Sequence, residues 1–232
     1  MATASSSRGK RPPRQDVGIT QLASQTPRVL VIGKAGQVAS GLLNAARQFD
    51  NLEMINLARP ELDLLNSRNL AGAIAATGVD LVINPAAYTA VDKAESEADA
   101  AHQINAIAAG EIARGAAKIG APIIHLSTDY VFDGSAARSY REEDPTAPLG
   151  IYGQTKRGGE IAVMEKNEQH LIVRTAWVYS PYGANFVKSM LKLGSERDEL
   201  SIVDDQIGNP TSADDLAHAL LQLSSQVCSK PD

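Results

Sequence analysis

Short apolar runs alternate with amphipathic helical patterns along most of this chain. Runs typical of buried strands lie at 28–32, 52–57, 79–84, 121–127, 170–175 and about 200–204, and helical patterns lie near 36–48, 67–77, 97–119, 152–167, 184–194 and 212–226. Continuous apolar strands separated by helices are typical of a parallel sheet that is covered on both faces. The alternation therefore predicts an α/β fold, a doubly wound parallel sheet whose ligand crevice lies beyond the carboxyl ends of its strands.

The amino-acid composition limits both the kind of protein that this chain can form and the partners that it can bind. A chain of 232 residues, 44% of them hydrophobic, can bury one large core, so residues 28–232 are expected to form one domain. The net charge of −5 offers no basic surface to nucleic acid, and no apolar run is long enough to cross a membrane. The single cysteine, Cys228, excludes an internal disulfide, and the four dispersed histidines have no metal-ligand spacing. We therefore expect that the protein binds neither nucleic acid nor a membrane and has no metal site.

Residues 1–27 differ from the rest of the chain. They are rich in Ser, Arg and Pro and carry four cations and one acid, Asp16. No apolar segment typical of a secretory signal peptide is present. We expect a disordered extension or a misplaced start codon and a cytoplasmic protein. An organellar transit peptide is the alternative.

A glycine-rich turn follows the first predicted strand, in the run Gly33-Lys-Ala-Gly36-Gln-Val-Ala39. In dinucleotide-binding folds the first glycine permits a tight turn and the second lets the backbone approach a pyrophosphate. The third position, here Ala39, packs the helix on the strand. The helix N-terminus then offers free N–H groups to the phosphates. Such a turn without any ligand is the alternative, but the strand–turn–helix context favours a dinucleotide. These features predict a Rossmann-type site.

The end of the second predicted strand bears on the choice of dinucleotide. A carboxylate at this point usually holds the ribose of NAD, whereas a nearby arginine suits the 2′-phosphate of NADP. The chain reads Leu57-Ala-Arg59, so NADPH is favoured and NADH stays possible. Arg59 facing solvent is the alternative. Asp63 is expected either to contact adenine or to cap the helix that begins near Asn66.

Tyr152 and Lys156 are four residues apart in a helical pattern, so both lie on one helix face. An ammonium in that position is expected to lower the pKa of the phenol from its usual value of about 10. A phenol tuned in this way can exchange a proton with a substrate oxygen near neutral pH. Ser127 or Thr128, at the end of an apolar strand, can donate a hydrogen bond to the same oxygen.

Several motifs in this order resemble the dTDP-4-dehydrorhamnose reductases, which are extended short-chain dehydrogenase/reductases. They are the glycine-rich turn, Thr89-Ala-Val-Asp-Lys-Ala-Glu95, Ser127-Thr-Asp-Tyr-Val-Phe-Asp133, Tyr152-Gly-Gln-Thr-Lys156, Arg174-Thr-Ala-Trp-Val-Tyr179 and Asp205-Gln-Ile-Gly-Asn-Pro-Thr211. The resemblance implies reduction of the 4-keto group of dTDP-6-deoxy-L-lyxo-4-hexulose to dTDP-L-rhamnose, with NADPH or NADH. It also implies that Mg²⁺ and a homodimer are possible.

The resemblance implies a role for each matching residue. Tyr152 is the general acid, Lys156 supports it and holds the nicotinamide ribose, and Thr128 polarises the ketone. The other cofactor-binding residues implied are Gly33, Gly36, Gln37, Val38, Arg59, Asp63, Leu64, Ala86, Ala87 and Tyr88. The substrate-binding residues implied are Thr89, Val91, Ser127 and Trp177. The alternative for Trp177, the only tryptophan, is a place in the core.

Other proteins share this fold and the tyrosine–lysine pair, and the chain differs from the resembled family at its C-terminal end. Sugar 4,6-dehydratases need an Asp-Glu pair directly after the threonine, and here Asp129 is followed by Tyr130, so dehydration is not expected. A non-catalytic subunit on the same scaffold, similar to the β subunit of methionine adenosyltransferase, stays open because fold does not determine function, although the intact hydroxyl, tyrosine and lysine argue against it. Another nucleotide-sugar epimerase or reductase is the remaining alternative. Members of the resembled family usually continue for several dozen residues beyond the position that matches Asp232. The small C-terminal substrate region is therefore expected to be incomplete.

Overall fold

The computed structural model describes residues 26–229, and its centre is a five-stranded sheet. The strands are β1 (Arg28–Ile32), β2 (Glu53–Leu57), β3 (Leu81–Asn84), β4 (Ile123–Thr128) and β5 (His170–Thr175). Their order is β2-β1-β3-β4-β5, and every neighbouring pair is parallel. This arrangement confirms the predicted parallel α/β fold.

The helices follow the predicted alternation closely. They are α1 (Gln37–Ala45), α2 (Leu70–Ala75), α3 (Val91–Ala94), α4 (Ala98–His102), α5 (Ala109–Lys118), α6 (Ile151–Lys166), α7 (Phe186–Glu196) and α8 (Ala213–Cys228). The helix predicted over 97–119 is interrupted by a π-helical segment, Gln103–Ala108, between α4 and α5. A second, two-stranded parallel sheet pairs β6 (Val178–Tyr179) with β7 (Thr211–Ser212).

The strand predicted at about 200–204 is wrong, because this stretch has no regular structure. Its apolar side chains are largely exposed: Ile202 is 53% and Val203 68% accessible. A strand needs a neighbour with which to exchange backbone hydrogen bonds, and neither sheet extends to these residues. Apolar composition alone therefore misidentified a loop.

Side-chain alternation along the strands explains why helices cover both faces of the sheet. In β1, Leu30 and Ile32 point to one face, where they pack with Ile74 of α2 and Ile112 of α5. Val29 and Val31 point to the other face, where they pack with side chains of α1 and α8, among them Leu42, Leu220 and Leu221. Strands that are apolar on both faces can be buried only in this three-layer arrangement.

The strand order places the ligand crevice. The chain runs from β1 outward to β2 and then returns to β3 on the other side of β1. The turns after β1 and β3 therefore diverge and leave a gap at their carboxyl ends, which is the usual ligand site of such sheets.

Two further expectations concern the N-terminal tail and membrane-spanning helices. The tail 1–27 lies outside the described residues except for its last two. Among residues 26–229, no helix is long and apolar enough to cross a membrane.

Candidate active site

A cleft of about 810 Å³ lies at the carboxyl ends of the strands. The turn after β1 forms one wall, and Gly33, Gly36, Gln37 and Val38 all line it. Ser127 of β4 and Tyr152 and Lys156 of α6 also line the cleft. The structure thus brings the glycine-rich turn and the tyrosine–lysine pair to one cavity, although about 120 residues of sequence separate them.

The glycine-rich turn has the geometry that its sequence predicts. Gly33 has a φ of +101°, which strongly favours glycine, and its N–H donates to the Leu57 carbonyl at 2.7 Å. A Cβ placed at Gly36 would meet nothing within 4 Å, so the backbone before α1 is open to the cleft. Ala39 is buried at the third position. Free N–H groups at the start of α1 therefore border the cavity.

The side chain of Gln37 joins the turn to the segment after β5. Its amide nitrogen donates to the Val178 carbonyl at 3.1 Å. Its amide oxygen accepts hydrogen bonds from the Ser180 hydroxyl at 2.9 Å and from the Asn185 amide at 3.0 Å. Besides lining the cleft, Gln37 thus holds the wall formed by residues 178–185 through its side chain.

The predicted adenine side of the cleft is formed after β2, where Arg59, Asp63 and Leu64 line the cavity. Asp63 does not cap the following helix: its carboxylate accepts from the N–H of Leu65 at 3.2 Å. The cap is Asn66, whose side chain accepts from the Arg68 N–H at 3.3 Å. The capping alternative for Asp63 is therefore wrong.

The segment after β3 is held from behind by a buried asparagine. Ala86, Ala87 and Thr89 line the cleft. Asn105, in the π-helical segment, accepts from the Tyr88 N–H at 2.8 Å and donates to the Tyr88 carbonyl at 3.1 Å. Tyr88 itself, which was predicted to line the cofactor cleft, lies outside the cleft lining, and its hydroxyl donates to Glu97 at 2.6 Å.

Lys156 is buried, with 2% of its surface exposed, and its ammonium donates to the Leu126 carbonyl at 2.6 Å. Burial lowers its pKa to about 8, and the nearby Glu160 carboxylate opposes this shift. The lysine is therefore a fixed group in the cleft wall and not a flexible surface cation.

The predicted lowering of the Tyr152 pKa does not appear in this structure. Burial raises the pKa of the phenol, the Thr128 hydroxyl opposes the shift, and Asp129 and Tyr130 add to it. The spacing correctly indicated a lysine nearby, but the Lys156 ammonium is directed at the Leu126 carbonyl and the phenol is largely desolvated. A raised pKa keeps the phenol protonated at neutral pH.

Thr128 lies at the end of β4 beside Tyr152 but does not line the cleft. Its hydroxyl donates to the Asp129 carboxylate at 3.1 Å and accepts from the Tyr130 N–H at 3.3 Å. Tyr130 packs edge-on against the Tyr152 ring, with centroids 5.5 Å apart. Val91 and Trp177 also lie outside the cleft lining.

Two glycines let α6 approach its neighbours closely. A Cβ at Gly153 would collide with the Tyr130 carbonyl oxygen, and one at Gly159 would collide with the Asn105 carbonyl oxygen. These glycines bring Tyr152 and Lys156 against β4 and the π-helical segment. Neither glycine has a positive φ, so close approach is the reason for them.

Sequence reasoning missed several residues of this region. Glu160 is 1% exposed and is held by Arg174 through two hydrogen bonds of 2.8 Å and by Arg157 at 2.9 Å. Its place one helical turn after Lys156 was a usable signal. Ser127 lies close enough to contribute to the lowered pKa of Glu160, yet within the described part of the chain its hydroxyl makes no hydrogen bond of ordinary geometry.

Two further residues also escaped prediction. Thr175 lines the cleft with a buried hydroxyl that has no partner within the described chain. The Glu95 carboxylate accepts from the Ile151 N–H at 2.8 Å, which caps the start of α6 from a distant segment. Contacts between distant segments of this kind leave no local pattern in a sequence.

A glycine-rich turn and a tyrosine–lysine pair at the switch point of a parallel sheet define a nucleotide-binding protein of the short-chain dehydrogenase/reductase class. Comparisons with known proteins narrow the class. The family described as RmlD substrate binding domain matches residues 27–232. The dTDP-4-dehydrorhamnose reductase of Sinorhizobium fredii is 47% identical over 202 residues, which are 87% of this chain and 68% of that protein.

Solved structures agree. A dTDP-4-dehydrorhamnose reductase of Clostridium acetobutylicum gives a TM-score of 0.82 at 40% identity, over 86% of this chain and 71% of that one. The Bacillus anthracis enzyme, solved in complex with NADP, gives 0.81 at 38% identity with the same coverage. The chain belongs to the dTDP-4-dehydrorhamnose reductase family.

Proposed function

We propose that this chain reduces the 4-keto group of dTDP-6-deoxy-L-lyxo-4-hexulose to dTDP-L-rhamnose, with NADPH as the reductant. The observation that carries the proposal is the single cleft that holds the glycine-rich turn together with Tyr152 and Lys156. Relatives named for this activity support the choice of substrate. The product serves the synthesis of cell-surface polysaccharide such as O-antigen, and a spore coat polysaccharide biosynthesis protein of Bacillus subtilis, 41% identical, is among the relatives.

The cleft suits a dinucleotide in several respects. The open backbone at Gly36 and the start of α1 can receive the pyrophosphate. Arg59 lines the cleft after β2, where it can contact a 2′-phosphate, and this supports NADPH over NADH. The buried hydroxyls of Ser127 and Thr175, which have no hydrogen-bond partner among residues 26–229, give the inner end of the cleft two further polar groups for a ligand.

When bound, the reduced nicotinamide supplies the hydride that C4 of the sugar accepts. Tyr152 keeps a proton on its hydroxyl at neutral pH, because burial raises its pKa, and delivers that proton to the C4 oxygen. Thr128 donates a hydrogen bond to the same oxygen. Lys156, fixed on the Leu126 carbonyl one helical turn after Tyr152, supplies a positive charge that holds the nicotinamide ribose.

The remaining roles are proposed from the family. Thr89, Val91, Ser127 and Trp177 contact the sugar, and the protein works in the cytoplasm, where the resemblance implies a homodimer. Magnesium dependence stays a prediction of the resemblance. Among residues 26–229, no three histidine, cysteine, aspartate or glutamate side chains come together to hold a metal.

The test is product formation by the purified chain. The 4-keto sugar nucleotide, prepared enzymatically, is incubated with NADPH, and dTDP-L-rhamnose is identified by chromatography and NMR. We expect NADPH consumption equal to the product formed. If NADPH binds but neither NADPH consumption nor dTDP-L-rhamnose formation is seen, the proposal is wrong. A non-catalytic subunit then explains the chain better.

A further inference from the structure

Trp177 has an unusual backbone for its size. Its φ is +46°, and it is the one residue other than glycine between 26 and 229 with a positive φ. This conformation is disfavoured for a residue with a side chain, so surrounding contacts must maintain it. Trp177 lies between β5 and β6, and its neighbours Thr175 and Val178 line the cleft. Its side chain is not in the core, because 46% of the residue is exposed.

Gly208 lies directly against the indole of Trp177. A Cβ at Gly208 would be 2.7 Å from Cε2 and 3.0 Å from both Cζ2 and Nε1 of the indole. The φ of Gly208 is not in the left-handed region, so the backbone does not require glycine there. The lack of space beside the indole does require glycine, because any side chain at position 208 would displace the ring.

The second sheet explains how Gly208 reaches this position. β6 follows Trp177 directly, and Val178 pairs with Thr211 of β7. The Thr211 N–H also donates to the Trp177 carbonyl at 3.3 Å. The loop that precedes β7 is thus drawn back over the indole, and Gly208 covers part of the ring while nearly half of the residue stays exposed.

We infer that Gly208 is a positioning residue that fixes the Trp177 indole, next in the chain to cleft-lining Val178, and thereby sets the affinity for the sugar ring. The part of this inference that concerns the sugar rests on the proposed function. An aromatic face is a suitable surface for the apolar side of a deoxysugar, but only when the ring is held in a fixed orientation. Displacing the ring should weaken substrate binding and leave the hydride and proton transfers intact.

The experiment compares Gly208→Ala with Gly194→Ala, a control in α7 where a Cβ would meet nothing within 4 Å. Because Trp177 is the only tryptophan, its fluorescence emission and its quenching by iodide report on the indole directly. In Gly208→Ala we expect a shifted emission and altered quenching, a KM for the 4-keto sugar nucleotide raised about tenfold, kcat within about twofold and an unchanged Kd for NADPH. The control should match the wild type in each.

A double-variant cycle separates positioning from general damage. In a Trp177→Leu background the obstructed ring is absent, so Gly208→Ala should leave both KM and Tm unchanged. If Gly208→Ala alone fails to fold, the double variant should fold. An equal rise in KM with and without the indole would overturn the inference, and so would an unshifted emission.

The readouts also distinguish failure of the inference from failure of the proposed function. If the wild type does not turn over, the proposed function fails, while the emission and Tm measurements still test whether Gly208 holds the indole. If the wild type is active and the emission shifts but KM does not, the indole is positioned by Gly208 without serving the substrate, and the inference is wrong.

Discussion

The Lys156 ammonium donates a hydrogen bond of 2.6 Å to the carbonyl oxygen of Leu126, two residues before Thr128 on β4. This bond ties α6 to the strand that presents the threonine. It also fixes a buried positive charge at the cleft wall, where desolvation lowers the pKa of the lysine to about 8. The charge state of the lysine therefore changes within an accessible pH range.

The first prediction concerns the alkaline limb of the pH–rate profile. Above the Lys156 pKa of about 8 the amine becomes neutral, while the raised pKa of Tyr152 keeps the phenol protonated. We expect kcat/KM to fall as the pH rises above this value. In Lys156→Arg the charge persists at high pH, so the residual activity should lack that limb. A wild-type profile that stays flat to about pH 9.5 would contradict this assignment.

The second prediction concerns stability in acid. His125 on β4 is fully buried beside the Asn84 amide at 3.1 Å, and burial lowers its pKa well below 6.5. Lys156, whose charge adds to this shift, is the charged group that faces it. Below pH 6.5 the unfolded chain binds a proton that the folded protein does not, so the free energy of unfolding decreases as the pH falls.

For one proton the slope approaches about 1.4 kcal/mol per pH unit. Urea unfolding between about pH 5 and 7 measures it. His125→Gln should reduce the slope, whereas the control His102→Gln, at an exposed histidine, should keep it. Equal slopes in the two variants would rule out His125 as the source.

The third prediction concerns the buried ion cluster. Arg174→Met keeps the apolar stem but leaves the Glu160 carboxylate, 1% exposed, with Arg157 as its remaining partner. Removing one partner of a buried ion pair typically costs about 3–5 kcal/mol, and partial exposure of the guanidinium favours the lower end. The control is Lys93→Met at an exposed pair with Glu97, where we expect a change below about 0.5 kcal/mol. Similar losses in urea unfolding for the two variants would show that burial does not matter here.

The fourth prediction concerns close packing of α6. Gly159→Ala forces a methyl group into the Asn105 carbonyl oxygen and should cost about 1–3 kcal/mol of stability. Gly72→Ala, at an exposed helical glycine with open space around it, should stabilise the protein by up to about 1 kcal/mol. Thermal unfolding of both variants gives the comparison. Opposite signs support the packing account, and a stabilised Gly159→Ala would refute it.

Sequence reasoning succeeded where short-range patterns decide the structure. Five of the six strands predicted from the apolar alternation are present, although β6 and β7 were not predicted, and the run from Gly33 to Ala39 predicted a turn whose first glycine has a positive φ. The spacing of Tyr152 and Lys156 placed both at one cleft. In each case the information lies within a few neighbouring residues.

Sequence reasoning failed where contacts between distant segments of the chain determine the structure. The direction of the Tyr152 pKa shift depends on burial and on the carbonyl that holds Lys156, which spacing cannot reveal. The contact of Gly208 with Trp177 depends on the pairing of two-residue strands, and the false strand at 200–204 was apolar but had no partner. Such features arise only when the chain is folded.

Turnover of Tyr152→Phe tests the central claim most directly. The variant removes one hydroxyl from a largely buried ring and leaves the glycine-rich turn and Lys156 untouched. NADPH oxidation at about 340 nm is followed with the 4-keto sugar nucleotide, and NADPH affinity is measured separately. We predict that kcat falls by about 10²–10⁴-fold while the Kd for NADPH stays within about twofold. Near-normal turnover in this variant would contradict the assignment of Tyr152 as the proton donor.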